Sequence, residues 1–448
     1  MNQFVERSAL VLLLASAPAV AGCGGEDDLD LAPLARRAEE VRELSFKREV
    51  PVRTVTREEV DALAEAEATA AEEEELAELA ATYGRLGYFP VDADLRAILG
   101  HARDLMGAWY SSDTKAITLI GEVDDNVFIH EYVHGLQDQH FDLGALLTAA
   151  PTSDAMLALR AAAEGDAMLA EARFLAQEHN GGDLDELDWS RTIGGLLEIE
   201  QSILAESEVP VLFVQYPSFA YGFGFVYCAH NLTGASAEMP FAQEPFPFDW
   251  SREDALFSDR VPATTQQILT LDRHDLEVPV GLQEVPSGLT DRLEPISADS
   301  LGEWLSYLLL YPLGGTLSPG DLRALAAAWD GDRALFVRDR QTGATGTAWA
   351  SAWDDAEAAA GVQSALWALH GGKVIDEGEP RLGQAEDGEL LWIERREERV
   401  VALKNVDEAL MPALAEAAFP SGIKPMRLTV RTRPSLAAWL SRSLPWRP

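Results

Sequence analysis

The stretch Val127-Phe-Ile-His-Glu-Tyr-Val-His-Gly-Leu-Gln-Asp-Gln-His-Phe-Asp142 constrains this chain more than any other. A helix turns about 100° and rises about 1.5 Å per residue, so His130 and His134 stand almost one above the other and can point two imidazoles at one ion. Glu131 lies about 100° round the axis, outside that pair but within reach of a water on the ion. Two nitrogen ligands with an adjacent general base form the His-Glu-x-x-His pattern of a zinc site. The bland alternative is a buried helix with two satisfied histidines, in a chain that has only 8. Context favours the site. Asp124 or Asp125 can cap the helix, and Val127, His130, His134, Gln137, Asp138 and Phe141 share one face. A metal-bound histidine donates its other N–H to a carboxylate or carbonyl, and Asp138 is the candidate for that role. Gln137 and His140 are either site residues or polar residues near a helix end.

A catalytic zinc needs a third protein ligand and one open position. Asp154 to about His179 reads as a long helix containing Arg160-Ala-Ala-Ala-Glu164-Gly-Asp-Ala-Met. Ala161 to Ala163 and Gly165 strip bulk from around Glu164, so this helix can approach the first one closely. Glu164 is the expected third ligand. Glu171, two turns along the same face, is its rival, and Asp166 a weaker one; an ordinary exposed glutamate is the bland reading.

His-Glu-x-x-His followed some thirty residues later by Glu164-Gly-x-Ala resembles the gluzincin metallopeptidases, the thermolysin-like and aminopeptidase-like group whose third ligand is a glutamate. More narrowly, His130 to Leu143 resembles a family of bacterial exported HExxH proteins, and the likeness runs from about Val41 to Phe419. It includes Gly107-Ala-Trp-Tyr, Pro262-Ala-Thr-Thr-Gln-Gln-Ile-Leu, Leu301-Gly-Glu303, Trp329-Asp-Gly-Asp-Arg and Trp353-Asp-Asp-Ala. The resemblance implies a mainly helical zincin-like core with a small sheet, a bound Zn2+, and a peptide or protein substrate. The chain departs from that family's pattern twice. Thr270-Leu-Asp-Arg-His274 stands where His-Pro-x-Lys-Tyr is expected, and Ser218-Phe219 where Pro-Tyr is expected, with Tyr216 and Tyr221 nearby. Candidates to stabilise the oxyanion are Tyr221, Tyr216, His230 and His274.

Residues 1–22 read as an export signal: Arg7, an apolar core from Ala9 to Leu14, then Val20-Ala-Gly-Cys23. The apolar run is too short to span a bilayer. Val-Ala-Gly-Cys resembles a bacterial lipobox, which implies a lipid on Cys23 and an extracytoplasmic, membrane-anchored protein; plain secretion is the alternative. Cys228, the one other cysteine, then has no partner within the chain and reads as a small core residue. A formal net charge of −40, from 35 Lys+Arg against 75 Asp+Glu, repels phosphates and anionic lipid surfaces and argues against nucleic acid as a partner.

At 448 residues and 47% hydrophobic composition the chain can bury a large core in two packed units. After an acidic flexible linker over 23–45, the first unit spans 46–299. It holds a strand at Val50 to Val55, a helix from the Thr56/Glu59 capping box to about Tyr83, a helix from Asp94 to Leu105, and a hairpin about Ser112-Asp113. The strand entering the zinc helix can offer its edge to an extended peptide. Leu184–Glu206 and Phe219–Asn231 read as helices, and Ala242–Asp259 and Pro279–Pro295 as loops. The second unit, 300–425, has a helix Leu301–Leu310, two hairpins (Arg333 to Trp353 and Glu389 to Lys404), a helix capped by Asp354 and a helix Asp407–Phe419. The class is α+β, followed by a tail over 426–448. The reading is an exported zinc metallohydrolase, a peptidase with Glu131 as base. Its alternative is a catalytically silent zinc scaffold or peptide-binding envelope lipoprotein.

Overall fold

The computed structural model describes residues 31–66, 69–104, 107–180, 210–233, 249–271, 284–315, 317–371, 373–376, 378, 380–419 and 436. Cys23 with the export signal, the run 184–206, His274 and the Arg-rich tail, Leu436 apart, lie outside these residues. No helix among the described residues is long and apolar enough to cross a membrane.

The class is α+β, with a small three-stranded sheet and a larger antiparallel one. Where a flexible linker is expected, Ala32–Arg42 (α1) is a helix that ends on a fully buried arginine. β1 (Val52–Val55) follows. The single helix expected from Thr56 to Tyr83 is two, Arg57–Ala66 (α2) and Ala70–Leu86 (α3), because Thr69 and Glu72 form a second capping box. Gly87, at φ 118°, closes α3. α4 (Leu95–Asp104), β2 (Ala108–Ser111) and β3 (Ala116–Ile120) lead to α5 (Asp125–Phe141). Asp124 holds the N-cap position in extended conformation, but its side chain makes no capping bond. In the small sheet β3 is central, parallel to β1 and antiparallel to β2. The strand entering α5 therefore has no free edge; β2 is an outer strand among the described residues.

α6 (Leu143–Ala149) and the 28-residue α7 (Ser153–Asn180) come next. α8 (Val211–Thr233) runs straight through Pro217, where a break was expected. Its apolar residues face neighbours all round, and that burial outweighs the lost N–H of one proline. α7 and α8 cross at glycines: a Cβ on Gly165 would stand 2.1 Å from the Gly224 carbonyl oxygen, and one on Gly224 2.1 Å from that of Ala161. The small residues beside Glu164 thus admit α8 most closely, and α5 packs against α7 as well, with Gln137 Nε2 reaching Ala163 O at 2.9 Å. Cys228 lies buried in this crossing. The expected loop 242–259 ends as a helix, α9 (Trp250–Asp254), continued by one 3-10 turn, and α10 (Thr265–Thr270) follows.

β4 (Leu293–Asp299) begins the large sheet inside a stretch expected to be loop, and inside the span expected of the first unit. α11 (Gly302–Leu310), α12 (Pro319–Ala327), β5 (Trp329–Asp339), β6 (Thr345–Trp353), α13 (Ala356–Leu369), β7 (Lys373–Asp376), β8 (Arg381–Gln384), β9 (Leu390–Arg396), β10 (Arg399–Lys404) and α14 (Met411–Ala418) complete it. The sheet order is β4-β5-β6-β10-β9-β8-β7. Asp355, not Asp354, caps α13, accepting from the amides of Glu357 and Ala358. Successive side chains of a strand face opposite sides. On β5, Ala334 and Phe336 join the main core with α13, whereas Leu335 and Val337 pack with α14. Both faces are covered, so the strands read as apolar runs.

Three buried carboxylates join the sheet to the helices. Asp332 accepts from Ser300 Oγ, the amides of Leu301 and Gly302, and the indole N–H groups of Trp329 and Trp349. Asp299 takes the Tyr83 hydroxyl and the amide and hydroxyl of Ser153, and Asp154 takes the amide and hydroxyl of Thr265. Gly302, at φ +74°, has no room for a Cβ, which would fall 1.9 Å from Asp154 Oδ1. The motifs Pro262–Leu269, Leu301–Glu303 and Trp329–Arg333 are thereby accounted for as this joint.

Candidate metal centre

α5 is buried along nearly its whole length, so its polar groups must find partners inside the protein. His130 Nε2 and His134 Nε2 lie 3.1 Å apart, and each is 3.3 Å from Glu164 Oε2, which α7 supplies. A tetrahedral ion with ligands at 2.0–2.1 Å has ligand–ligand edges of about 3.3 Å. The triangle has the size of one face of that tetrahedron. All three residues are buried.

The far sides of the rings decide which nitrogen carries the proton. His130 Nδ1 meets Glu171 Oε2 at 3.2 Å, and Asn126 Nδ2 holds the other oxygen of that carboxylate at 2.7 Å. His134 Nδ1 meets Gln137 Oε1 at 2.8 Å. The Gln137 amide has one orientation, because its nitrogen donates to Ala163 O at 2.9 Å and to Asp166 Oδ2 at 2.7 Å. A carboxylate and an amide oxygen only accept, so each Nδ1 is the donor and each Nε2 turns a lone pair inward. With Glu164, three lone pairs converge on one point. A cation satisfies them; so do protons drawn in from water.

The electrostatics agree. Burial alone lowers the pKa of both imidazoles, but hydrogen bonds and attraction from Glu164, with Glu171 at His130, hold both above the usual histidine value. Burial raises Glu164, and the two imidazoles overcome it and bring the carboxyl down to about 2. Positive charge is what this site draws in. Glu131 is pushed up, by burial before anything else, despite the pull of both imidazoles. Its Oε2 accepts the Tyr110 amide of β2 at 2.6 Å. That amide points away from β3, since Ile117, the residue opposite, turns its own N–H to Pro51.

Of the other candidates, Asp138 is not the partner of His134. It faces the opposite way, taking the Tyr110 hydroxyl at 2.8 Å and Lys115 Nζ at 2.7 Å. Gln137, one position earlier, has that role, and Glu171 supports His130 from the side away from Glu164. Asp166 is bound to Arg42 and Gln137. His140 lies outside the cluster, its Nε2 at 2.8 Å from Ser45 O. Tyr221 on α8 belongs to the site: its ring is 6.0 Å from that of His130. Burial and the carboxylates of Glu164 and Glu131 raise its pKa well above that of an ordinary tyrosine. His230, nine residues on, is roughly 13 Å along α8 and half a turn round from Tyr221, and Tyr216 is about 140° round. Neither is brought to the cluster. The sequence reading missed Asn126, Arg42 and the Tyr110 amide. Asn126 sits four residues before His130, which is a usable signal; a backbone amide carries none.

Residues 291–415 match the family model described as Domain of unknown function (DUF8575), which covers the large sheet from β4 to the middle of α14 and leaves the candidate metal centre outside. No curated protein and no solved structure matches the chain.

Proposed function

We propose that the protein is a zinc-dependent hydrolase with a zincin-like core, acting on peptide bonds. The observation that carries this is the triangle of His130, His134 and Glu164, together with a carboxylate on the adjacent helix position that is not part of it. A closed structural site has four protein ligands and no use for a base; among the described residues the cluster has three. Zinc held there would lower the pKa of water toward about 7 and polarise a scissile carbonyl.

The chain's own residues do the rest. Glu131, raised by burial and moored by the Tyr110 amide, takes the proton from the attacking water and returns it to the leaving nitrogen. Tyr221 keeps its proton at neutral pH and, with its ring 6.0 Å from that of His130, is the donor we assign to the developing oxyanion. The outer edge of β2 runs past Glu131, and an extended peptide can pair along it, although the Tyr110 amide would have to exchange Glu131 for the substrate. The site chemistry is the support for peptidase activity; an export signal with a lipid on Cys23 belongs to the same proposal.

Glu131→Gln tests it. The glutamine still accepts the Tyr110 N–H, so zinc content and melting temperature should hold, while hydrolysis of a broad peptide library should fall by at least ~10²-fold. Zinc-loaded wild type that cleaves nothing, or a variant as fast as wild type, leaves the zinc-scaffold reading in its place.

A further inference from the structure

The metal centre does not end at Gln137. Asp166, which accepts the Gln137 amide, is clasped by Arg42 from the end of α1, with Arg42 Nε 2.9 Å from Asp166 Oδ2 and Nη2 2.7 Å from Asp254 Oδ1. Arg42, Asp166 and Gln137 are all fully buried, and the guanidinium lies over the Trp250 ring at 4.6 Å. A charge is so placed only where partners offset its lost hydration, and these partners lead straight to a ligand.

We infer that Arg42 is a positioning residue of the metal centre, fixing through Asp166 and Gln137 the tautomer of His134 that turns Nε2 toward the metal. This rests on the metal reading above. An amide side chain can turn over, exchanging oxygen for nitrogen at nearly the same shape. Turned over, Gln137 presents N–H to His134 Nδ1, and the ring proton moves to Nε2, where it occupies the lone pair a cation needs. The acceptors beyond Gln137 prevent this. Ala163 O is one, and the Asp166 carboxylate, paired with the Arg42 guanidinium, is the other. Arg42 supplies the counter-charge that lets a carboxylate sit there at all. α1 is then part of the site, with Arg42 acting on His134 through Asp166 and Gln137.

Loss of a partner that orients a metal-bound histidine costs about 10–100-fold in metal affinity. Zinc affinity is measured on the full chain by chelator competition, with melting of the chelated protein recorded beside it. Arg42→Met, which keeps the stem over Trp250, should weaken zinc by about 10–100-fold, and Arg42→Lys should recover most of it. In a Gln137→Met background, adding Arg42→Met should change zinc affinity by no more than about twofold, since the route is already cut. Arg173→Met is the control: Arg173 holds the same end of α1 through the Val41 carbonyl and Glu43. It should lower the melting temperature and leave zinc within about twofold. Should Arg42→Met fail to fold, Asp166→Asn, of equal volume, is read against the same expectations. The inference is overturned if Arg42→Met loses stability at unchanged zinc affinity, or keeps its full effect without Gln137. Wild type that binds no zinc defeats the metal reading and this inference with it; wild type that binds zinc beside an indifferent Arg42→Met defeats this inference alone.

Discussion

Two groups of buried carboxylates sit within this one core, and they differ in what faces them. At the joint, Asp154, Asp299 and Asp332 are surrounded by donors: amides, hydroxyls and two indoles. In the other group Glu164 faces two ring nitrogens whose protons are committed elsewhere. Burial is common to both, and it holds all three joint carboxyls above the usual carboxylate range, whereas at Glu164 the two imidazoles overcome it and bring the carboxyl down to about 2. The distinction is the count of donors against acceptors. A saturated carboxylate joins elements, while a carboxylate among lone pairs asks for a cation. The joint is complete in its own donors, while the triangle is completed from outside, by a cation or by protons drawn from water.

Substitutions at the joint sharpen this contrast. Asp332→Ala leaves five buried donors without their acceptor, and each unsatisfied buried group costs about 1–3 kcal/mol, not additively. A loss of about 3–5 kcal/mol by chemical denaturation is expected, with zinc stoichiometry unchanged wherever the chain is folded. If Asp332→Ala instead loses zinc while folded, the two networks are one and the contrast fails.

A second effect is the pH response of the same joint. Burial, with Asp332 and Asp299 nearby, raises Asp154 to about 7 against the donors of Thr265. A carboxyl raised above its unfolded value near 3.9 gives the native state more bound protons between about pH 4 and 7. Stability from this group is thus full at low pH and declines as pH rises through that window, by at most about 1.4 kcal/mol per unit. Asp154→Asn should flatten that part of the stability profile of the chelated protein; a profile as steep as that of wild type would remove Asp154 as its source.

What could be read beforehand divides along similar lines. The spacing of His130, Glu131 and His134 is local to one helix, so it marks two candidate ligands and a candidate base without knowledge of the fold. Glu164 was legible from its setting, yet its rival Glu171 shares its face, and only the position of α5 against α7 gives one the inner and the other the outer nitrogen of His130. Asp138 and Gln137 differ by about 100° on the helix, and which of them meets His134 depends on the wall α7 provides. Pro217 misled because packing overrides a missing N–H, and the Ala32–Arg42 helix because acidic composition near the start resembles a linker. Arg42 and Asp166 are far apart in sequence, and no periodicity joins them. The sheet hairpins were plain from their apolar runs, but β4 was hidden by Pro295, at a register shift on an edge strand.

The central claim is that His130, His134 and Glu164 together hold one metal ion. Metal analysis of wild type, Glu164→Ala and Glu171→Gln after dialysis against a moderate chelator tests it directly. Wild type should retain near one zinc per chain, Glu164→Ala should retain almost none, and Glu171→Gln should retain zinc with affinity reduced about 10–100-fold. Full zinc in Glu164→Ala with loss in Glu171→Gln, or no zinc in wild type, would contradict the account.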